Sequence, residues 1–251
     1  MKKTLFLTAA LAMTTGAVNA DTVLGVYAGV QGWNVDANGG FADDSNLADF
    51  SFDKETKSSF YVALEHPVPL VPNLKIRRTN INNNGSATLT SSFTFDGQNF
   101  TADSNLITDI DLTNTDYVLY YELFDNDLFS FDFGLNIKDV EGNIFVQNVD
   151  NTSQTGSENF DGFIPLLYSK VTAEMPLTGL GFYAEGNYLS IDDHKVYEYQ
   201  AAITYNMMDN LAIDMTLQLG YRSFMLELDD LDGVYSDLEF KGPFAGVEVH
   251  F

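Results

Sequence analysis

Phe129-Ser-Phe-Asp-Phe-Gly-Leu-Asn-Ile-Lys138 puts Phe129, Phe131, Phe133, Leu135 and Ile137 at every second position, with Ser130, Asp132, Gly134, Asn136 and Lys138 between them. Leu211-Ala-Ile-Asp-Met-Thr-Leu-Gln-Leu-Gly-Tyr-Arg222 repeats the pattern. A helix would scatter these apolar residues around its axis, whereas a strand lines them up on one face. Working outward, weaker alternation predicts ten strands, near 22–33, 57–66, 73–80, 108–123, 128–138, 163–175, 180–190, 195–206, 211–228 and 238–251.

The connections alternate in length. Pro67–Pro72, Phe124–Asp127, Pro176–Gly179 and Met207–Asn210 are short. Asn34–Thr56, Ile81–Ile107 and Asp139–Gly162 are long, and those near Asp192 and Asp229–Asp237 are intermediate. Short and long connections alternating along an even number of strands is how outer-membrane barrels are built. The expected fold is therefore an all-β, transmembrane, antiparallel up-and-down β-barrel of about ten strands, within a range of eight to twelve.

A soluble sandwich also alternates, so the second face has to decide. Here that face carries charges of both signs. Lys75, Arg77, Lys138, Lys170 and Arg222 have the inward parity, and so do Glu65, Glu122, Asp132, Glu174, Glu185, Glu198, Asp214 and Glu248. A lumen of about ten strands is narrow enough for such groups to pair across it. The outward face is nearly free of charge and carries Tyr117, Tyr121, Tyr197, Tyr205, Tyr221 and Phe251 near strand ends, as interfacial girdles do. Arg78 and Lys241 break that face near its upper rim, where long basic side chains snorkel. A secreted soluble β-sandwich binding module is the alternative fold.

Residues 1–20 read as a secretory signal peptide: Lys2 and Lys3, a short apolar stretch from Thr4 to Thr15, then Val18-Asn19-Ala20 before the cleavage point. Residues 21–251 are then one barrel domain in the outer membrane of a Gram-negative cell. With 36 Asp+Glu against 12 Lys+Arg and a net charge of −24, nucleic acid is an improbable partner. The absence of cysteine excludes disulfides, thiolate metal sites and a cysteine nucleophile. The last strand, with Gly246, Val249 and terminal Phe251, resembles the signal read by the barrel-assembly machinery. Outer-membrane lipid, lipopolysaccharide and that machinery are the expected partners.

Phe60-Tyr-Val-Ala-Leu-Glu-His-Pro-Val-Pro-Leu-Val-Pro-Asn73, Tyr120-Tyr-Glu-Leu123, Gly220-Tyr-Arg-Ser223 and Gly242-Pro-Phe-Ala-Gly246 resemble a family of uncharacterised proteobacterial outer-membrane β-barrel proteins. The resemblance implies fold and location over nearly the whole mature chain and carries no reaction.

The sharpest catalytic candidate is Asp192-Asp193-His194, which resembles in kind the Asp and His residues of ten-stranded outer-membrane proteases. An Asp–His couple can hold an imidazole as a general base. Those enzymes need a second acidic pair, however, and no second partner sequence is evident. His66 and His250 fall at strand ends and read as interfacial polar residues. Asp229, Asp230 and Asp232, clustered with Gly233, are oxygen-rich enough to take Ca²⁺ or Mg²⁺, but their spacing is not that of a Ca²⁺ loop. No cofactor is expected. Mixed signs inside favour a filled lumen over a pore selective for one sign of ion. The expectation is a structural or interaction barrel, porin-like in shape, passing small solutes at most. A surface hydrolase centred on His194 and a narrow channel are the alternatives.

Overall fold

The computed structural model describes residues 24–126, 128–191, 194–209, 213–231 and 234–251. The signal-peptide segment, Asp192, Asp193 and Asp232 lie outside the described residues.

In chain order the strands are β1 Gly25–Ala42, β2 Ala48–Phe52, β3 Glu55–Glu65, β4 Asn73–Thr79, β5 Asn82–Thr88, β6 Phe93–Phe95, β7 Gln98–Phe100 and β8 Asn105–Asp111. They continue with β9 Asn114–Asn126, β10 Phe129–Asn148, β11 Thr155–Met175, β12 Leu180–Ile191, β13 His194–Asp209, β14 Asp214–Leu231 and β15 Val234–His250. Ten of these close an antiparallel ring: β1, β3, β4, β9, β10, β11, β12, β13, β14 and β15. The seam at the chain ends is shut by Phe251, whose backbone N–H donates to the Val26 carbonyl at 2.9 Å. The ring has a turn end and a loop end.

The three long loops expected from the sequence are corrected: they are largely strand. β1, β10, β11 and β15 continue past the expected ends. β2, β5 and β8 fill the wall between the upper parts of β1 and β10, forming a second storey over the shorter β3, β4 and β9. The single strand expected over 108–123 is two, broken at Leu112 and Thr113, because β8 belongs to the upper storey and β9 to the ring. The β6–β7 hairpin packs inside that storey, with Phe93, Phe95 and Phe100 buried against Phe41 and Phe50.

These segments were misread because the two strand faces exchange polarity partway up. Low on β10, Phe133, Leu135 and Ile137 face outward and Asp132, Asn136 and Lys138 inward. Higher up, Asp139, Glu141, Asn143 and Gln147 take the outward positions, with Phe145 among them, and Val140, Ile144 and Val146 are buried inside. β1 does the same: exposed Val30 gives way to Asn34, Asp36 and Asn38 outside, while Trp33, Val35 and Ala37 line the interior. The lower exterior is thus a continuous apolar belt that includes Phe60, Leu119, Leu167, Ile203 and Leu219, the last 67% exposed. The upper exterior is polar around an apolar core.

Tyr61 sits against Gly29 on the neighbouring strand, where a Cβ would lie 2.3 Å from its ring. Overpacking of this kind costs about 1–3 kcal/mol. Gly29→Ala is therefore expected to lower the unfolding midpoint in urea, and adding Tyr61→Leu to recover part of the loss; equal midpoints for wild type and Gly29→Ala would contradict the packing.

Candidate functional site

Inside the ring, just below the level of Trp33, the side chains form a charged layer. Glu185 on β12 accepts from Lys75 Nζ at 2.9 Å and Arg77 Nη2 at 2.8 Å, both on β4, and from Gln200 Nε2 at 3.0 Å. Glu198 on β13 takes Arg222 Nη2 at 2.5 Å and Lys138 Nζ at 2.9 Å, with Arg77 at 3.9 Å. Asp116 on β9 accepts from Lys138 at 2.8 Å and from Asn136 Nδ2 at 2.7 Å. The layer therefore ties β4, β9, β10, β12, β13 and β14 together across the lumen. Lys138 is 0% exposed and Arg222 1%.

The strand pattern dictates this meeting. Arg77, Asp116 and Lys138 are inward residues at one height, being opposite one another in the β4–β9 and β9–β10 registers. Lys170 lies between Asp132 and Glu185 in its two ladders, a cross-strand arrangement that favours opposite charges. Above, Arg222 lies over the Trp33 ring at 4.8 Å and Lys138 over Phe224 at 5.3 Å, so cation–π contacts join the charged layer to the apolar core.

Below the layer, a polar basin of about 640 Å³ occupies the turn end. Glu65, Glu122, Glu174 and Glu248 line it, with Tyr27, Tyr61, Tyr120 and Tyr168. Tyr120 donates to Glu65 at 2.7 Å. Of the inward charges read from the sequence, then, Lys75, Arg77, Lys138, Arg222, Glu185 and Glu198 meet in the layer. Lys170 and Asp132 sit at the boundary and line the basin, as Lys75 of the layer also does. Asp214 belongs to neither, facing His250 at 3.4 Å on the turn end. Sequence reading missed Asp116, although its parity is legible one position from outward Tyr117. It also missed Asn136, Asn187 and Gln200, neutral side chains that complete the layer.

The remaining candidates do not converge. His194 tops β13 and its Nδ1 accepts from the Asp229 backbone N–H at 3.2 Å, which engages the nitrogen an orienting carboxylate would hold. Asp229 and Asp230 are exposed, and among the described residues no group of three His, Asp or Glu side chains is placed to hold a metal. His66 closes its turn, with Nε2 at 3.2 Å from the Pro72 carbonyl and Nδ1 accepting from the Val68 N–H. His250 stacks on Tyr27 at 4.1 Å. Gly246, Val249 and Phe251 lie along the β1–β15 seam.

At the loop end Asp43 accepts from the Asp96 and Gly97 N–H groups, and Asp96 from the Ser157 N–H at 3.1 Å. Partial burial, with the Asp96 and Asp43 carboxylates close by, holds the Glu158 carboxyl above its ordinary range.

No protein family and no curated protein matches the chain in sequence. In fold it is similar to the outer membrane protease OmpT from Escherichia coli, with 9% identity and a TM-score of 0.53 over 93% of this chain and 98% of that one. It is also similar to the transport unit of the autotransporter AIDA-I from Escherichia coli, with 9% identity and a TM-score of 0.42 over 96% and 93% of the two chains. A third similar structure is the toluene transporter TodX of Pseudomonas putida, with 8% identity and a TM-score of 0.34 over 90% and 89%. These neighbours are outer-membrane β-barrels of Gram-negative bacteria, and at such identities the likeness is one of fold.

Two outcomes follow. Glu198→Gln leaves Arg222 and Lys138 buried beside a neutral group, so a loss of about 3–5 kcal/mol is expected in urea unfolding; a loss no larger than that of an exposed charge would refute the layer's role. A carboxyl whose folded pKa is raised binds more protons folded than unfolded, so it favours the fold as pH falls and opposes it as pH rises. Hydrogen-exchange protection of Gly156–Phe160, corrected for intrinsic rates, should therefore decline as pH rises above the ordinary glutamate range, and Glu158→Gln should flatten that decline.

Proposed function

We propose that this chain is an outer-membrane β-barrel whose lumen is closed, serving a structural or interaction role at the cell surface rather than conducting solutes. The observation that carries the reading is the exchange of strand faces at the level of Trp33. Soluble monomers rarely expose continuous apolar patches beyond a few hundred Å², yet the lower belt runs over the ring's exterior with charges enclosed behind it. Above that level the same strands have a water-compatible exterior. A strand passing from hydrocarbon into water requires this reversal. The fold likeness to an outer membrane protein agrees with it, and so does the export signal read from residues 1–20.

Closure has two parts. The charged layer spans the lumen, and removing such charges from water is tolerable because each is met by an opposite partner. Over it sits the apolar core of Trp33, Phe41, Phe95, Phe100, Phe240 and Phe244, all buried. Ions would have to cross both. The hydrolase reading is disfavoured by the engaged Nδ1 of His194. Lipid, lipopolysaccharide and the assembly machinery are the partners of this reading, with Gly246, Val249 and Phe251 as the assembly signal. The acidic loops Asp229–Asp232 are where Ca²⁺ or Mg²⁺ would bridge to lipopolysaccharide.

Spin labels test the placement, since the chain has no cysteine to compete. A label at Leu135→Cys should report hydrocarbon and one at Asn143→Cys water; water at both would end the membrane reading. In planar bilayers the purified protein should give no current steps, and steady steps would replace the closed barrel with a channel.

A further inference from the structure

The ring wall is incomplete at one place. β11 pairs with β10 from Phe129↔Ala173 up to Gln147↔Thr155. Its pairing with β12 stops far lower, at Leu167↔Tyr188. Among the described residues no strand covers the upper half of β11, while the β14–β15 hairpin rises beyond it, pairing as far as Leu231↔Val234. Pro165 stands just above the last β11–β12 pair. Proline has no N–H to give a ladder, so it belongs at an edge of this kind.

Behind the gap lies a cavity of about 400 Å³, within the range of small-molecule sites, roughly 300–1,000 Å³. Its walls are aliphatic and aromatic: Leu112, Val140 and Ile144 on one side, Phe224, Leu226 and Leu238 on the other. Phe160 and Ile164 of β11 and Leu228 of β14 line the cavity and pack against the buried core while staying partly accessible, so they form the mouth. Outside the mouth, Phe163 is 71% exposed and Ile191 53%. An apolar path thus runs from the upper margin of the exterior belt into the cavity without crossing the charged layer. The polar rim is Glu158, Asn159 and Asp161, and among the described residues no Lys or Arg lines the cavity.

We infer that this side opening is a binding site for the hydrocarbon chain of a single-chain amphiphile whose head is neutral or cationic. The apolar walls account for the chain. The two rim carboxylates repel a carboxylate or phosphate head, and they hold an ammonium or accept from a hydroxyl. The inference rests on the outer-membrane reading only for where the amphiphile comes from.

Single cysteines in the cysteine-free chain test it in proteoliposomes with a membrane-impermeant maleimide. Ile164→Cys and Leu228→Cys sit at the mouth, and Phe163→Cys sits just outside it. With dodecylamine or dodecanol at ten times the dissociation constant, the mouth cysteines should react about tenfold more slowly, because only unoccupied protein is alkylated. Phe163→Cys should be unaffected, and dodecanoate should protect poorly until Glu158→Gln and Asp161→Asn remove the rim charges. Equal protection of all three cysteines would mean partition into the bilayer only and would overturn the site. So would no protection at the mouth, and so would dodecanoate matching dodecylamine. Water at the Leu135→Cys label would instead overturn the membrane reading, which keeps the two failures apart.

Discussion

A strand has two faces, and each must suit the medium it meets; in this chain the media change places partway up the strand. Below Trp33 the interior is charged and the exterior apolar, and above it the reverse holds. Everything else in the architecture accommodates that reversal. The charges need partners because they are enclosed, and the upper storey needs β2, β5, β8 and the β6–β7 hairpin because an apolar interior exposed to water would be unstable.

The charged layer works as a shared network rather than as isolated pairs. Glu198 is met by Arg222, Lys138 and Arg77, Arg77 also binds Glu185 and Lys138 also binds Asp116, so Arg77 and Lys138 link the three carboxylates into one network, while Arg222 rests on Glu198 and Lys75 on Glu185. Ties running from β4 to β14 across the lumen hold the ring's cross-section. The layer also separates two environments, a wet acidic basin at the turn end and an apolar chamber at the loop end. In the closed barrel proposed above, a ligand of the chamber would enter from its own side, where the β11–β12 ladder ends.

A likeness of fold to a protease at 9% identity says little about the chemistry of this chain. Here the imidazole nearest the loop end, His194, is occupied by a backbone N–H. The chamber at the loop end has apolar walls. The chamber is lined by Phe160, Ile164 and Leu228, with the carboxylates of Glu158 and Asp161 at its rim, and these are the groups on which the proposed recognition of an amphiphile rests.

Periodicity was enough to read the lower ring. Phe129–Lys138 and the stretch ending at Arg222 declare their faces because lipid-type and lumen-type residues alternate at a period of two, and that period is local. The parity of Lys75, Arg77, Lys138, Arg222, Glu185 and Glu198 was legible for the same reason, as was that of the overlooked Asp116. What local pattern could not tell was which medium each face meets. Above Trp33 the alternation persists with its sense inverted, so Asp139–Gly162 reads as a polar loop although it is mostly strand. Which carboxylate meets which cation, and where the wall between β11 and β12 opens, depend on register between strands far apart in the chain. Only closing the ring decides those positions, because only then do residues such as Lys138 and Glu198 share one enclosed volume.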